Sequence, residues 1–363
     1  MSDIIAITMP RWGLTMEEGT VTEWTAQPGD AVEKGAEIVE IETSKLAGPV
    51  ESPASGILRR QIAEVGQELP CGALLGVLAD PSVPEDAIDA FVETFVIVET
   101  DGEEEQDAGP QTADVNGASI SYLRKGEGNP LLLIHGFGGN AAGWAFIQDA
   151  LAGQRDTIAL DLPGHGASTK DIMDGSLAGQ AALVANFIAT LGLDTVDIIA
   201  HSMGGGVALA LASAHPDLVR NMVLIAPMGL GTAINSDYLA QFTAAEKQRD
   251  ISKTLAELFA DPTLVSRQMV DEIQRFKRVD GVGQALATIA AAIAPGGNQA
   301  VDLSAVLDTH RGNIAVIWGE ADRIIPATQA PAGRSTIIAG VGHMPQAEAA
   351  AKVVEIAKEV LTS

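Results

Sequence analysis

Ala200-His201-Ser202-Met203-Gly204-Gly205-Gly206 stands between an apolar strand candidate, residues 196–200, and an apolar helical stretch, residues 205–214. A serine at such a junction sits on a tight turn with its hydroxyl exposed at a helix N-terminus, where the helix dipole favours developing negative charge. The glycines that follow let helix and strand approach closely. Small-x-Ser-x-Gly is weak as a bare pattern and specific only where strand, turn and helix follow in that order. The same alternation continues outward on both sides. Strand candidates fall at 115–122, 131–135, 157–160, 196–200, 222–225, 314–318 and 336–338, with helical stretches at 177–191, 205–214 and 347–361. Strands alternating with helices predict a parallel α/β domain over residues 112–363. Between Pro227 and Asp302 the strands stop and a helical, Ala- and Gln-rich insertion takes over. It reads as a lid, at about 228–302, over the strand ends.

Three more stretches belong with Ser202. Leu133-Ile134-His135-Gly136-Phe137-Gly138-Gly139 follows an earlier strand, and Trp318-Gly319-Glu320-Ala321-Asp322-Arg323-Ile324-Ile325-Pro326 follows a later one. Gly340-Val341-Gly342-His343-Met344-Pro345 precedes the last helix. With Asp161-Leu162-Pro163-Gly164-His165-Gly166, they resemble the α/β-hydrolase superfamily over nearly all of residues 112–363. The departure from Gly-x-Ser-x-Gly is Ala200, a residue small enough for the turn. The resemblance implies Ser202 as nucleophile, His343 as the base that takes its proton, and Asp322 as the acid that orients the imidazole. It also implies the backbone N–H groups of Phe137 and Met203 as donors to an oxyanion.

Other residues compete for these roles. His135, His165 and His201 sit in fold motifs, which favours structural work, and His215 and His310 sit in none. Glu320 and Asp302 are alternative acids, but neither is followed by the spaced proline. Lys247, Arg249, Lys253, Arg267, Arg275, Lys277 and Arg278 could attract coenzyme A phosphates, yet an equal number of acids is interspersed, so a solvated helical surface is expected.

The first eighty residues obey a different rule. Gly19, Val21, Ala26, Gly29, Val32, Gly35, Ile38 and Ile41 return with spacing kept as Gly56, Leu58, Ala63, Gly66, Leu69, Gly72, Leu75 and Leu78. Each half reads as strand, Gly turn and strand, so an all-β sandwich of two similar sheets is expected. Between the halves, Glu42-Thr43-Ser44-Lys45-Leu46-Ala47-Gly48-Pro49 must form an exposed hairpin that offers Lys45 to other molecules. Residues 1–80 resemble a lipoyl domain, a flattened β-barrel, through the run from Pro28 to Gly35 and through Ile38-Val39-Glu40-Ile41-Glu42-Thr43-Ser44-Lys45. Biotinyl domains share that fold but flank their lysine with methionines, whereas Ser44 and Leu46 stand here. Most lipoyl domains carry Asp-Lys-Ala where this chain has Ser-Lys-Leu. The resemblance implies covalent lipoate on Lys45; a solvated surface lysine is the ordinary alternative.

The 363 residues suffice for two domains. They carry 48 acidic and 22 basic residues, a formal charge of −26, and residues 1–111 hold −18 of it. Such a surface repels nucleic acid and anionic membranes and suits docking onto basic partner surfaces. Cys71 is the only cysteine, which excludes an intrachain disulfide and a cysteine-based metal site. Neither a basic-then-apolar leader nor an uncharged transmembrane stretch is evident, so a cytoplasmic location is expected. Residues 81–111 read as a short helix, with Ile88, Phe91 and Phe95 at helical spacing, followed by an acidic, extended linker.

A carrier lysine and a serine acyl-transfer site in one chain imply that the carrier's cargo is the substrate. The architecture resembles the dihydrolipoamide acetyltransferase components of acetoin dehydrogenase complexes. That resemblance implies acetyl transfer from lipoyl-lysine to coenzyme A through Ser202. Its partners would be a thiamine-diphosphate-dependent acetoin-cleaving component and dihydrolipoamide dehydrogenase, in a homo-oligomeric assembly. The His-x-x-x-Asp-Gly of other 2-oxo acid dehydrogenase acyltransferases is absent, so the chemistry must come from the triad. A lipoyl-bearing hydrolase that uses water as acceptor, or a carrier with an inert second domain, remains open on sequence alone.

Overall fold

The computed structural model describes residues 4–10, 18–42, 47–95, 109–172 and 174–361. The chain divides into two compact units, Met1–Glu104 and Glu105–Ser363. In the first, the repeat glycines do the same work twice. Gly29 and Gly66 turn with φ of 101° and 87°, a backbone that favours glycine. Their N–H groups donate to Leu58 O and Val21 O, each at 2.7 Å, so each half's turn is tied to the other half.

The strands are β1 (Ile5–Thr8), β2 (Glu18–Trp24), β3 (Ala31–Val32), β4 (Glu37–Glu42), β5 (Ala47–Glu51), β6 (Gly56–Gln61), β7 (Glu68–Pro70) and β8 (Leu74–Ala79). They form two four-stranded antiparallel sheets, ordered β1-β8-β6-β3 and β5-β4-β2-β7. The halves do not each make a sheet of their own: β3 pairs with β6, and β7 pairs with β2. Val21, Ile38, Ile41, Leu58, Leu75 and Leu78 are fully buried in one core, which explains why the apolar repeat positions come in pairs. β4 and β5 pair to their ends, with Glu42 opposite Ala47. The connecting residues 43–46, Lys45 among them, lie outside the described residues.

Helix α1 (Glu85–Thr94) also belongs to this unit. Its Ile88 packs with Leu74, Val77, Ala79 and Val83, while Glu85 and Asp89 pair with Arg59 and Arg60. Exposed ion pairs of this kind contribute little, so the apolar contact holds the helix. The stripe of Ile88, Phe91 and Phe95 is therefore spent on its own unit, which extends past residue 80 into the segment expected as helix and linker. Residues 96–108, most of the acidic run, lie outside the described residues.

The second unit is an eight-stranded sheet of β9 (Gln111–Val115), β10 (Ala118–Lys125), β11 (Asn129–Ile134), β12 (Arg155–Leu160), β13 (Val196–His201), β14 (Val219–Ile225), β15 (Ile314–Gly319) and β16 (Ser335–Ile338). Their order is β9-β10-β12-β11-β13-β14-β15-β16, parallel from β12 to β16 and antiparallel at β9 and β10. The strand expected at 115–122 starts instead at Ala118, after a hairpin turn that joins it to β9. Asn116-Gly117 turns with φ of 55° and 87°, the positive values that a two-residue Asn-Gly loop supplies.

Helices α2 (Ala145–Ala152), α3 (Leu177–Thr190) and α4 (Met203–Ala214) come from the strand connections. Four more, α5 (Ser236–Ala244), α6 (Gln248–Leu255), α7 (Arg267–Lys277) and α8 (Val282–Ile293), fill the insertion expected as a lid. After α9 (Val306–Thr309), the C-terminal stretch breaks at Ala349 into α10 (Pro345–Glu348) and α11 (Ala350–Leu361). Alternate residues of the central strands feed two cores. Leu131, Leu133, Ile199 and Val223 meet α2 and α11, while Leu132, Ile134, Ile198 and Leu224 meet α3 and α4. Burial on both faces explains the unbroken apolar runs. Among the described residues, no helix is long and apolar enough to cross a membrane.

From β11 the chain passes to β12 on one side and then to β13 on the other. That reversal opens a crevice at the carboxyl ends of β11 and β13, the usual ligand position in open α/β sheets. The opposite end of the sheet is locked by charge. Fully buried Asp197 pairs with Arg155 and Arg220 and accepts the Asn221 side-chain amide, and Arg155 also donates to Leu361 O. Asp197→Ala should strand the buried Arg155 and cost about 3–5 kcal/mol, read as a fall in the denaturant midpoint. Asp149→Ala, at an exposed pair with Lys125, should cost about 1 kcal/mol or less.

Candidate active site

Ser202 ends β13 and caps α4 with φ 54° and ψ −118°, a strained backbone for a residue with a side chain. The turn holds because its groups are paired across the sheet. Ser202 N–H donates to Ile225 O at 2.9 Å, while Ser202 O accepts from Met228 N–H at 2.9 Å and Gly206 N–H at 3.2 Å. Gly204 is required by space: a Cβ there would lie 2.4 Å from Ile134 O. The start of α4 is thus pressed against the end of β11.

Three distant segments converge on this turn. Ser202 Oγ lies 2.9 Å from His343 Nε2, and His343 Nδ1 lies 2.7 Å from Asp322 Oδ2. With Nδ1 donating to the carboxylate, Nε2 is left as acceptor for the serine hydroxyl. The other oxygen, Asp322 Oδ1, accepts Ile324 N–H at 2.8 Å and Ile325 N–H at 3.0 Å, so the carboxylate is anchored before it meets the imidazole. All three residues are buried. The competing acids are elsewhere: Glu320 is exposed, and exposed Asp302 binds Ser304 N–H. His215 is exposed, and His310 Nε2 donates to Arg220 O.

Met203 is the first residue of α4, so its N–H has no acceptor within the helix. The Phe137 N–H, in the loop after β11, likewise forms none of the turn and loop backbone hydrogen bonds among the described residues. That loop is tied down around Asp161, which accepts Ala141 N–H at 2.7 Å and Ala167 N–H at 2.8 Å, and His135 Nε2 accepts Leu162 N–H at 3.0 Å. The helical insertion meets this region through rings. Phe242 of α5 lies 5.7 Å from Phe137, and Phe276 of α7 stacks on His165 at 6.4 Å. Among the described residues, no group of three or more His, Cys, Asp or Glu could hold a metal ion.

Serine, imidazole and carboxylate in this order can carry an acyl group, and comparison with known proteins narrows what kind. The alpha/beta hydrolase fold family matches residues 129–270, and the biotin-requiring enzyme family matches residues 5–78. The chain is 43% identical over 361 residues to the dihydrolipoyllysine-residue acetyltransferase component of the acetoin cleaving system of Pseudomonas putida, covering 97% of both chains. It is 42% identical to the corresponding component of Cupriavidus necator, over 96% of this chain and 94% of that one. The chain belongs to this acetyltransferase family. Among solved structures, the meta-cleavage product hydrolase of Pseudomonas fluorescens IP01 superposes with a TM-score of 0.63 at 19% identity, over 69% of this chain and 97% of that one. At that identity the likeness speaks for the fold alone.

In this acetyltransferase chain the three histidines of the fold motifs have their own tasks. His201 Nε2 donates to His343 O at 2.8 Å, and His135 Nδ1 donates to Gly136 O at 2.8 Å. Burial pushes the pKa of His135 below, and those of His165 and His201 well below, the ordinary 6.5; neighbouring imidazoles add to the effect at His165 and His201. Sequence reasoning missed the aromatic lid contacts and Glu348, whose carboxylate binds Gly342 N–H next to His343. Neither carried a motif.

A pH dependence follows from the three depressed histidines. The folded chain keeps them neutral, whereas the unfolded chain protonates them near 6.5. The unfolded state therefore binds more protons below that value, and stability should fall as pH drops through it towards the folded values. His165→Gln should shrink the slope by about one proton, about 1.4 kcal/mol per pH unit at its steepest. Denaturant midpoints measured from about pH 8 to about pH 5 check this.

Proposed function

We propose that this chain moves an acetyl group from a lipoyl thioester to coenzyme A by way of an acyl group on Ser202. The observation that carries the reading is the pair of contacts that His343 makes, to Ser202 Oγ at 2.9 Å and to Asp322 Oδ2 at 2.7 Å. His343 Nε2 takes the serine proton as Oγ attacks the thioester carbonyl. The N–H groups of Phe137 and Met203 receive the oxyanion, and Asp322 steadies the imidazolium. The proton then passes from His343 to the departing sulfur, leaving acetyl on Oγ. In the second half His343 takes the coenzyme A thiol proton, the sulfur attacks, and the proton returns to Oγ as acetyl-CoA leaves.

The first unit fits the carrier role. Its β4–β5 ladder closes at Glu42 and Ala47, so Lys45 falls in the connection of residues 43–46, and a lysine amine is the group that an amide-linked arm requires. Lipoate bound there would supply the thiol that holds the acetyl group as a thioester. Residues 1–80 then supply the carrier fold, residues 81–111 the short helix and linker, and residues 112–363 the transferase. A thiamine-diphosphate-dependent acetoin-cleaving component would load the arm and dihydrolipoamide dehydrogenase would reoxidise it, within a homo-oligomeric assembly. The cytoplasmic location goes with the same reading.

The test offers acetyl-dihydrolipoamide to the full chain, with and without coenzyme A. Acetyl-CoA should form much faster than acetate, and Ser202→Ala should cut its formation by more than about 10³-fold. Acetate released at the same rate without coenzyme A would make the acceptor water and the chain a hydrolase. Unchanged turnover in Ser202→Ala would remove the serine from the chemistry. Separately, Lys45→Arg should abolish lipoylation, seen by intact mass, while transfer from the free thioester persists.

A further inference from the structure

Three hydrogen bonds hold the backbone around His343, one of them from the lid insertion, and a second lid contact reaches it through Glu348. His343 N–H donates to Leu258 O at 2.7 Å, and His343 O accepts from His201 Nε2 at 2.8 Å. Gly342 N–H donates to Glu348 Oε1 at 2.9 Å. The second carboxylate oxygen, Oε2, accepts Ala260 N–H at 2.8 Å. Leu258 and Ala260 lie in the lid insertion just after α6. No side chain separates the two segments, since a Cβ at Gly342 would fall 2.6 Å from Ala260 N and 2.7 Å from Leu258 O.

We propose that Glu348 is a positioning residue that couples closure of lid segment 258–260 to the alignment of His343 on Ser202. The proposal rests on the triad reading above and adds a condition to it. A carboxylate has two oxygens, and Glu348 divides them between the lid and the base loop. If segment 258–260 lifts, His343 N–H loses the Leu258 carbonyl and Glu348 loses Ala260 in the same motion. The base loop then keeps His201, Asp322 and the Ala321 N–H on Val341 O, but loses its tie to the lid and is left with a half-satisfied carboxylate. Imidazole and serine must meet at hydrogen-bond distance for proton transfer, so the serine is activated only beneath a closed lid. A large carrier arm can enter and leave an open site whose base is out of line. Bulk water reaching an acyl-Ser202 in that open state finds no aligned base, which favours the thiol over water as acceptor.

Two substitutions reach the two ends of the bridge. Glu348→Gln keeps the shape but turns one acceptor into a donor facing an N–H. Ala260→Pro deletes the lid-side donor and sets the ring Cδ against Glu348 Oε2, breaking the bridge at that end, and Phe259, with φ −108° and ψ 146°, already has the extended backbone that a residue before proline prefers. The readouts on the full chain are the labelling rate of Ser202 by a fluorophosphonate, amide hydrogen exchange over residues 256–261 and 340–344, and the melting temperature. In each variant we expect labelling to slow about tenfold or more and exchange to rise in both segments. The double variant should be no slower than the worse single, as for two ends of one link. Labelling at the wild-type rate in both variants, whatever the melting temperature does, would reduce Glu348 to a structural role. Losses that simply add would mean that the two ends act separately. A wild-type chain that leaves Ser202 unlabelled would instead sink the triad reading, and this inference with it.

Discussion

Ser202 holds φ at 54°, a conformation that costs a residue with a Cβ on the order of 1–3 kcal/mol and persists only where its surroundings over-determine it. Here they do. Its N–H and C=O are committed to Ile225, Met228 and Gly206, and Gly204 lets α4 close against the end of β11. Releasing the turn would break those bonds together. The orientation of Oγ, the start of α4 with its unpaired Met203 N–H, and the proximity of the Phe137 loop all follow from this one constraint. Asp322 and His343 are then delivered by the ends of β15 and β16, which lie on the same side of the sheet because all four strands run parallel.

Around that turn the protein spends buried imidazoles as neutral hydrogen-bonding groups. His201 fixes the carbonyl of His343, and His135 joins its loop to Leu162. Desolvation holds the pKa of both below the ordinary value, so neither ring adds positive charge there. Lys170 serves the neighbouring loop differently, donating to the carbonyls of His165, Gly166 and Ser168. The lid meets this polar layer with rings, Phe242 on Phe137 and Phe276 on His165. These aromatic contacts cover the hydrogen-bonded loops beside the serine.

The N-terminal unit solves a different problem with a different symmetry. Two similar half-sequences, each too short for a core, exchange β3 and β7 and bury their paired apolar positions in common. That leaves the outer face of β8 to be covered by α1, whose acids also occupy Arg59 and Arg60.

Local rules made much of this legible beforehand. The turn at Ser202, the repeat glycines and the stretches around Phe137, Asp322 and His343 each sit within a few residues of the strand or helix end that gives them meaning. The resemblance to α/β-hydrolases that those stretches carry, rather than any local rule, joined Ser202 to His343 across 141 residues. The Asn116-Gly117 hairpin obeys an equally local rule, although the apolar pattern around it reads as one continuous strand. The exchange of β3 and β7 could not be read, because both registers satisfy the same repeat. Nor could the bridge from Glu348 to Ala260, 88 residues apart, since neither residue stands in a motif and a carboxylate near a helix end has many possible partners. By itself the sequence determined the elements, the chemical groups at their ends and their order along the chain. Which of those groups touch, and what binds the backbone around His343, was decided only by the folded packing, because hydrogen bonds between distant segments depend on ångström-scale approach that no local pattern encodes.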